Sequence, residues 1–337
     1  MKKKQIIGII VTGLVIIAVG VTGVLGNVIK AKFTETEETM GFWESIMSAD
    51  ISEEIILPEE DFIGLINVEG EIGPSTESLW SYTESTYNHD LYMDYVDSLI
   101  HADNNKGIML YIDSPGGTVY ESDELYLKLM EYKKVTGRPI YAYFASQACS
   151  GGYYIAMAAD YIVANRNCWT GSIGVIVSLL NCKDLYDKLG IEEIDITSGA
   201  NKAMGSAALD LTEEQYAILQ SLVDEAYDQF VEIVCDGRKM DDATVRSLAD
   251  GRIYSAKQAA EHKLVDLVGT MDEAKAALEK KAKVSGDITY YAPENGASGM
   301  FSVLYGMVNQ WKPKSDTELA TDIIENKGNG VLKYYAK

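Results

Sequence analysis

Short apolar runs alternate with helical patterns through the middle of the chain. Residues 62–68 and 108–112 are apolar runs of strand length, and glycine follows soon after each of them. Between these runs, the apolar positions of residues 91–100 recur at helical spacing. A helix over residues 122–135 then precedes a strand over residues 140–144. This alternation predicts an α/β fold with a largely parallel sheet.

The later part of the chain contains a longer series of predicted elements. Thr212 and Gln215 have the spacing of a capping box, which predicts that a long helix begins there. The further elements are a helix at 150–159, a strand at 161–164, a helix at 184–189, a strand at 193–196, and helices at 212–235, 242–249, 255–262 and 272–282. These elements place the folded domain at residues 61–285, and the weak pattern of residues 286–337 predicts a mobile C-terminal tail.

The N-terminal region has a different pattern. Residues 6–29 form an apolar run of 24 residues without a charged side chain. At about 1.5 Å per residue, this run can cross a hydrocarbon core of about 30 Å. A cleaved signal peptide is the alternative, but its apolar region is usually about 7–15 residues long. The pattern therefore favours an uncleaved transmembrane anchor.

The charges around this run predict its orientation. Lys2, Lys3 and Lys4 precede it, which by the positive-inside rule places residues 1–5 in the cytoplasm. The chain would then have a single-pass anchor in the cell membrane. A juxtamembrane linker at residues 30–60 would follow, and the folded domain after it would be extracytoplasmic.

Composition fits a globular domain with an acidic surface. The 337 residues are 47% apolar and 24% charged, which is enough for a sizeable core. The formal net charge is −22, and the first 32 residues contain five Lys and no acidic residue. The remainder has 24 basic against 51 acidic side chains, a net charge of −27. This acidity argues against nucleic acid as a partner.

Cysteine and histidine spacing argues against a metal site. Four cysteines lie far apart in the sequence: Cys149, Cys168, Cys182 and Cys235. They show no paired CxxC spacing, and in an extracytoplasmic domain they can be disulfide-bonded or buried thiols. His89, His101 and His262 share no HExxH-type pattern. The sequence therefore predicts neither a metal nor a cofactor.

Three glycine-containing segments lie beside predicted strand or helix ends, where open α/β sheets place their sites. In residues 113–117, Asp-Ser-Pro-Gly-Gly, paired glycines can expose backbone N–H groups to an oxyanion, although an ordinary tight turn fits equally well. In Ser150-Gly151-Gly152, the hydroxyl is a candidate nucleophile or a helix N-cap. Residues 170–175, Thr-Gly-Ser-Ile-Gly-Val, form the third segment.

A serine nucleophile needs a base, and histidine is the first candidate. No histidine lies between His101 and His262, and His262 falls in a polar segment typical of a solvated helix face. A lysine whose pKa is lowered by burial is the alternative base. Lys202 lies in the small, glycine-containing segment 198–205, which would permit such enclosure. From the local sequence alone, a surface lysine is the simpler interpretation.

Taken in order, these segments resemble the signal peptide peptidase A family in its short, single-repeat form. The resemblance covers most of residues 1–285 and rests on the anchor, residues 113–117, Ser150-Gly151-Gly152-Tyr153-Tyr154, residues 170–175, the Lys202 segment and residues 248–254, Leu-Ala-Asp-Gly-Arg-Ile-Tyr. Members of the family are membrane-bound serine proteases with a Ser-Lys dyad. The resemblance implies an α/β fold of the ClpP/crotonase-like type, with repeated β-β-α units preceded by one transmembrane helix.

The resemblance also implies a role for each candidate residue. Ser150 would be the nucleophile and Lys202 the general base, with Ser172 orienting the lysine amine. Backbone N–H groups of Gly117 and Gly151 would stabilise the oxyanion, and an acyl-enzyme would form on Ser150 before water releases it. The implied substrates are cleaved signal peptides and other unfolded peptides.

The family resemblance further implies a ring homo-oligomer, an octamer in the short form, with the serine and lysine of one site on neighbouring subunits. Cys149 stands where the family is expected to have alanine, which suits a packed small residue better than a second nucleophile. Residues 332–337 are apolar and aromatic, and this content raises the hypothesis that the C-terminus enters an active site as a self-substrate.

Three other functions stay open at this stage. A stomatin-associated membrane protease would use the same dyad on a membrane-protein target, but no further apolar span follows residue 29. A crotonase-type acyl-CoA enzyme would stabilise a thioester enolate, which an extracytoplasmic location without coenzyme A argues against. A catalytically silent membrane scaffold would keep the ring without turnover. The joint presence of Ser150, Ser172 and Lys202 favours an enzyme over the scaffold.

Overall fold

The computed structural model of the chain describes residues 55–75, 87–284, 286–293 and, for the backbone alone, 333–335. The predicted anchor at residues 6–29 lies outside these ranges. Within them, no helix combines the length and the apolar character needed to cross a membrane. The transmembrane segment therefore stays a prediction from the sequence.

Nine strands and eight helices make up the described part of the chain. The strands are β1 (Phe62–Ile72), β2 (Asn105–Thr118), β3 (Ile140–Cys149), β4 (Tyr161–Ala164), β5 (Trp169–Gly171), β6 (Ile253–Ser255), β7 (Leu267–Val268), β8 (Thr289–Tyr291) and β9 (Lys333–Tyr335). The helices are α1 (His89–His101), α2 (Val119–Thr136), α3 (Gly151–Ala156), α4 (Lys183–Leu189), α5 (Glu213–Arg238), α6 (Asp242–Leu248), α7 (Ala256–Glu261) and α8 (Met271–Ala282). Thr212 and Gln215 form both hydrogen bonds of the predicted capping box before α5.

These strands form one mixed sheet. β6, β5, β3, β2, β1 and β8 are successive neighbours, and β4 pairs with β3 and β7. The central pairs β1–β2 and β2–β3 are parallel, because α1 and α2 carry the chain back across the sheet between them. Among the described strands, β5–β6 and β2–β9 are the antiparallel pairs. The α/β fold with a largely parallel sheet confirms the sequence prediction.

Alternate residues of the central strands face two different cores. Ile108 and Leu110 of β2 belong to the larger core, whereas Met109 between them belongs to the smaller core with Leu278 of α8. This period of two places α1, α2, α3 and α5 on one face of the sheet and α8 on the other. The larger core includes Tyr154, so α3, which follows the end of β3, is anchored in it.

The sequence predicts that the strand of residues 108–112 ends at residues 113–117, and the structure differs at this point. β2 continues through them to Thr118, with a register shift against β3 between Ile112 and Ser114. Gly116 has a φ of 107°, which glycine adopts without a steric penalty. The segment stays extended because it pairs with neighbours, and the irregular register absorbs the unusual backbone. An ordinary tight turn is therefore the wrong description of these residues.

Residues 193–196, predicted as a strand, have no regular structure. Ile194 and Ile196 are 74% and 98% exposed, and no described strand pairs with this segment. Its alternating apolar and polar residues are typical of a strand. A strand is stable, however, only where a neighbour supplies backbone hydrogen-bond partners. The predicted strand is therefore wrong for the single chain.

The sheet extends past the predicted end of the folded domain. β8 pairs in parallel with β1, and Tyr95 of α1 donates a hydrogen bond to the carbonyl of Tyr291 at 2.5 Å. β9 pairs antiparallel with the end of β2, where Tyr334 lies opposite Gly117. Residues 286–337, predicted as a mobile tail, thus supply two strands of the sheet. Tyrosine is frequent in both strands, and aromatic residues favour pairing in a sheet.

Candidate active site

Ser150 follows the end of β3 and has a strained backbone. Its φ of 52° and ψ of −116° are rare for a residue with a side chain, and such strain costs about 1–3 kcal/mol. Its N–H donates to the carbonyl of Gly171 and its carbonyl accepts from the N–H of Tyr154, both at 2.8 Å. Residues held in this way are concentrated at functional sites, so the conformation singles out Ser150.

The hydroxyl of Ser150 is buried without a partner. Among the described residues, its Oγ is the one buried side-chain oxygen or nitrogen that makes no hydrogen bond. Leaving a buried polar group unpaired costs about 1–3 kcal/mol. Native proteins rarely keep such a group unless a catalytic partner or a ligand supplies the missing contact.

Two glycines lie beside this serine. Gly151 follows it directly, and the backbone nitrogen of Gly117 lies 3.3 Å from the position that a β-carbon on Gly151 would occupy. A β-carbon on Gly117 would overlap the backbone of Ile72, with the carbonyl carbon 2.6 Å away. Both positions therefore require glycine. Two backbone N–H groups beside one serine hydroxyl are the elements of an oxyanion hole, as the sequence predicts for these residues.

Ser114 fixes the segment that contains Gly117, a role that the sequence analysis missed. Its buried Oγ accepts from the N–H of Gly116 at 3.1 Å and donates to the carbonyl of Gly70 at 2.6 Å. The bond with Gly116 lies within β2, and the bond to Gly70 fastens the end of β2 to β1. The signal was its position just before a Pro-Gly-Gly sequence, since serine side chains commonly bind nearby backbone groups.

Ser172 lies next to the backbone that holds Ser150. The carbonyl of Gly171, its neighbour in sequence, accepts the N–H of Ser150. Ser172 is only 6% exposed, has a φ of 49°, and donates its N–H to the carbonyl of Arg252 at 2.8 Å. Its Oγ makes no hydrogen bond within the described ranges. The structure therefore places Ser172 directly after the residue that binds the backbone of Ser150.

Lys202 is in a different environment. It lies in the segment of residues 174–211 between β5 and α5, which we call the lysine arm. Residues 190–202 of this arm are all exposed. The amine of Lys202 makes no ion pair or hydrogen bond with any residue that the structure describes, so a single chain does not pair it with Ser150.

Helix α5 separates the lysine from the serine. The turn before Lys202 binds the start of this helix, where Gln215 donates to the carbonyl of Ala200 at 3.4 Å. Phe230, near the other end, packs on Tyr154 of α3 with ring centroids 5.0 Å apart. The 15 residues from Gln215 to Phe230 correspond to about 22 Å along the helix axis. The segment around Lys202 is thus attached far from the helix that follows Ser150.

The cysteines are free thiols in this structure. Burial raises the pKa of Cys149 and of Cys168 to about 12, so both stay protonated at neutral pH. The thiol of Cys149 contacts the carbonyl of Trp169 at 3.5 Å. This environment agrees with the interpretation of Cys149 as a packed small residue. In the described part of the chain, no three His, Cys, Asp or Glu side chains converge to form a metal site.

The edge of β2 beside Gly117 accepts an extended peptide. β9 lies antiparallel along it, with Tyr335 opposite Gly116 and Lys333 opposite Thr118. Helix α3 lies close to the same strand. Strand addition to a sheet edge is a general mode of peptide recognition, because main-chain hydrogen bonds do not depend on side-chain identity. The placement of β9 is consistent with the hypothesis that the C-terminus enters the site.

The sequence matches two known protein families. Residues 132–285 match peptidase family S49, and residues 82–170 match Clp protease. A protein of Enterococcus faecium described as signal peptide peptidase SppA is 38% identical over 248 residues, which are 73% of this chain and 71% of that protein. A protease of Methanocaldococcus jannaschii is 36% identical over 64% of this chain and 74% of its own length. The chloroplastic serine protease SPPA of Arabidopsis thaliana is 31% identical over 57% of this chain and 28% of its own length.

Proposed function

Because the chain belongs to peptidase family S49, a family of serine peptidases, we propose that it is a membrane-anchored endopeptidase with a Ser150–Lys202 dyad. Family membership confirms the resemblance that the sequence motifs suggested. The match to Clp protease over residues 82–170 fits the mixed α/β sheet and a ClpP-like fold. The dyad, the anchor and the substrates go beyond family membership and form our proposal.

One observation carries the proposal: the strained backbone at Ser150 holds an unpaired, buried Oγ beside two glycine N–H groups. Strain and an unpaired hydroxyl each cost stability, and neither has a structural benefit in the single chain. A peptidase needs a free hydroxyl that can attack and preformed N–H donors for the oxyanion, and the strained backbone holds Ser150 beside such donors.

The proposed reaction proceeds in two steps. The neutral amine of Lys202 takes the proton of Ser150 Oγ, which attacks the peptide carbonyl, and the N–H groups of Gly117 and Gly151 stabilise the oxyanion. The lysine ammonium then protonates the departing amine, which leaves an ester on Ser150. Water, deprotonated by the same lysine, hydrolyses this ester and restores the serine.

We propose that Lys202 completes the site of a neighbouring subunit in a homo-oligomeric ring. The exposed lysine and the unpaired serine of one chain are the two halves of a dyad that two chains would form together. A groove of about 310 Å³ between the lysine arm and α5 supports this assembly, since it is lined by apolar residues such as Val175, Leu179 and Leu219. Apolar surface of this kind is buried in most stable subunit contacts.

Substrates would be extended peptides released at a membrane, including cleaved signal peptides. The edge of β2 that β9 occupies would bind the peptide backbone in the antiparallel direction. The predicted anchor at residues 6–29 would hold the site beside the bilayer where apolar peptides are released. A second subunit that supplies Lys202 would enclose the bound peptide and bring the lysine amine to Ser150 as the general base.

The test compares Ser150→Ala, Lys202→Ala and the two variants coexpressed with different affinity tags, all in the full chain. A fluorogenic leucine-rich peptide reports activity. Each single variant should be inactive. If neighbours share the site, a one-to-one ring should regain about a quarter of wild-type activity, because a working pair needs an intact serine and an intact neighbouring lysine.

Lys188→Ala is the matched control, since Lys188 is also exposed on the lysine arm and should be dispensable. Activity in Lys202→Ala would rule out this lysine as the base. Inactive single variants with no recovery in verified mixed rings would instead place both residues of a working dyad in one chain.

A further inference from the structure

Ser122 is a fully buried residue in the first turn of α2, five positions after Gly117. Its Oγ donates a hydrogen bond to the carbonyl of Thr118 at 2.7 Å, which fixes the direction of the hydroxyl. A β-carbon on Gly151 would overlap this oxygen. The Ser122 hydroxyl therefore occupies the space beside Gly151 that a side chain would fill at another residue.

The same space adjoins the second N–H group of the candidate oxyanion hole. The position of a β-carbon on Gly151 is 3.3 Å from the backbone nitrogen of Gly117, so Ser122, Gly151 and Gly117 converge on one small volume. The two glycines belong to different elements, β2 and α3, and α2 packs against α3. Close packing at this point determines how far apart the two elements lie.

We propose that Ser122 is a positioning residue that sets the separation of the Gly117 and Gly151 N–H groups. The inference rests on the proposed peptidase function of this site. Ser122 acts through Gly151, since its hydroxyl is committed to Thr118. An oxyanion hole requires donors about 2.7–3.1 Å from the oxyanion, so a small displacement of Gly151 weakens binding of the transition state more than binding of the peptide.

The experiment uses Ser122→Ala and Ser122→Cys in the full-length oligomer, with Ser98→Ala as the matched control. Ser98 on the exposed part of α1 makes the same type of bond, from its Oγ to the carbonyl of Asp94 at 3.0 Å. Ser122→Ala removes the oxygen that contacts Gly151, and we expect kcat to fall about 10-fold with KM within about twofold. Ser122→Cys places a larger sulfur atom against Gly151 and should lower kcat further. Ser98→Ala should leave both constants unchanged.

A transition-state analogue separates positioning from general damage. A peptide aldehyde forms a tetrahedral adduct with the serine, so its affinity depends on the oxyanion hole, whereas a non-cleavable peptide of the same sequence reports ground-state binding. Across the Ser122 variants, aldehyde affinity should fall in parallel with kcat while peptide affinity stays constant. Equal losses of both affinities, or unchanged kcat in folded Ser122→Ala and Ser122→Cys, would overturn the proposal.

Ser150→Ala distinguishes this inference from the proposed function. Full activity in Ser150→Ala would reject the peptidase site itself, whatever Ser122 does. An inactive Ser150→Ala together with Ser122 variants that behave like Ser98→Ala would reject only the positioning role. Thermal melting of each variant identifies any loss of activity that comes from unfolding.

Discussion

The residues around Ser150, which we call the nucleophile region and which include Gly151 and Gly117, are packed in the opposite way from the lysine arm. Ser150, Gly151 and Gly117 lie in close-packed surroundings, and a strained backbone is held there by neighbouring hydrogen bonds. Residues 190–202 of the arm are all exposed, and Ile196 is 98% exposed. One chain therefore holds the serine and the two glycine N–H groups in place by itself. The arm presents an unpaired lysine with apolar surface, which suits a residue supplied to another subunit.

This difference has a physical reason. A strained residue and an unpaired hydroxyl persist only where the surrounding structure over-determines them, which requires a rigid core. A lysine that completes the site of a neighbouring chain, as we propose for Lys202, has the opposite requirement, because its contacts form on assembly.

The largest difference is expected from adding one methyl group in each region. Gly151→Ala should lower kcat about 10³-fold and the free energy of unfolding by about 1–3 kcal/mol, because the new β-carbon overlaps Ser122 Oγ. Gly199→Ala in the lysine arm should leave the melting temperature unchanged, since no atom lies within 4 Å of its new β-carbon. Peptide assays and thermal melts measure both effects. Equal destabilisation by the two substitutions would mean that the arm is packed as tightly as the nucleophile region.

Cysteine alkylation should separate the two regions by reaction rate. Cys149 is 1% exposed, and burial raises its pKa to about 12, so it reacts only when the structure opens. Cys182 in the lysine arm is partly exposed. With iodoacetamide at neutral pH, we expect Cys182 to react about 10²-fold faster. Peptide mapping at timed intervals gives both rates, and similar rates would contradict the contrast in burial.

Charge on the exposed face of the lysine arm should prevent assembly without unfolding the protomer. Ile194→Asp combined with Ile196→Asp should lower activity about 10-fold at a fixed protein concentration, because charged residues disfavour a buried contact. Sedimentation velocity should show smaller species with an unchanged melting temperature of the protomer. Ile194→Val combined with Ile196→Val is the control that keeps the surface apolar. An intact oligomer in the double Asp variant would exclude this face from the contact.

The smallest effect is expected from acid titration beside the nucleophile region. Arg252 donates a hydrogen bond to Asp250 at 2.7 Å and lowers the pKa of that carboxyl to about 2. The carbonyl of Arg252 accepts the N–H of Ser172, which links this pair to the nucleophile region. Because the folded pKa lies below the unfolded value, this pair stabilises the fold above about pH 4 and its contribution is lost as pH falls toward 2. Both side chains are exposed, so the change is small.

Asp250→Asn should make the stability of the protein depend less on pH in this range. The urea midpoint of unfolding, measured from pH 2 to 6, gives this dependence. Asp210→Asn is the comparison in the lysine arm, where Lys183 lowers the pKa of Asp210 in the same direction. Superimposable curves for wild type and Asp250→Asn would show that this pair contributes nothing to stability in this range.

Local chemistry explains which parts of the site were predictable. Local chemistry marked the segments that contain Gly117, Ser150 and Gly151 as candidates, because glycine permits close backbone approach and a serine can be a nucleophile. The family resemblance assigned the role of each residue. Ser114 and Ser122 were missed as functional residues, because serine near a strand or helix end usually makes an ordinary local hydrogen bond. Their importance depends on Gly70 and Gly151, which lie far from them in sequence.

The sequence by itself determined the alternation of strands and helices, the parallel character of the sheet, the capping box before α5 and the residue types of the site. Each of these depends on local periodicity or on the conformational limits of one residue. Only the tertiary structure decided that β2 continues through residues 113–117, that residues 193–196 form no strand, and that β8 and β9 join the sheet. A strand exists only through its neighbours, and a single sequence does not specify which neighbours will be present.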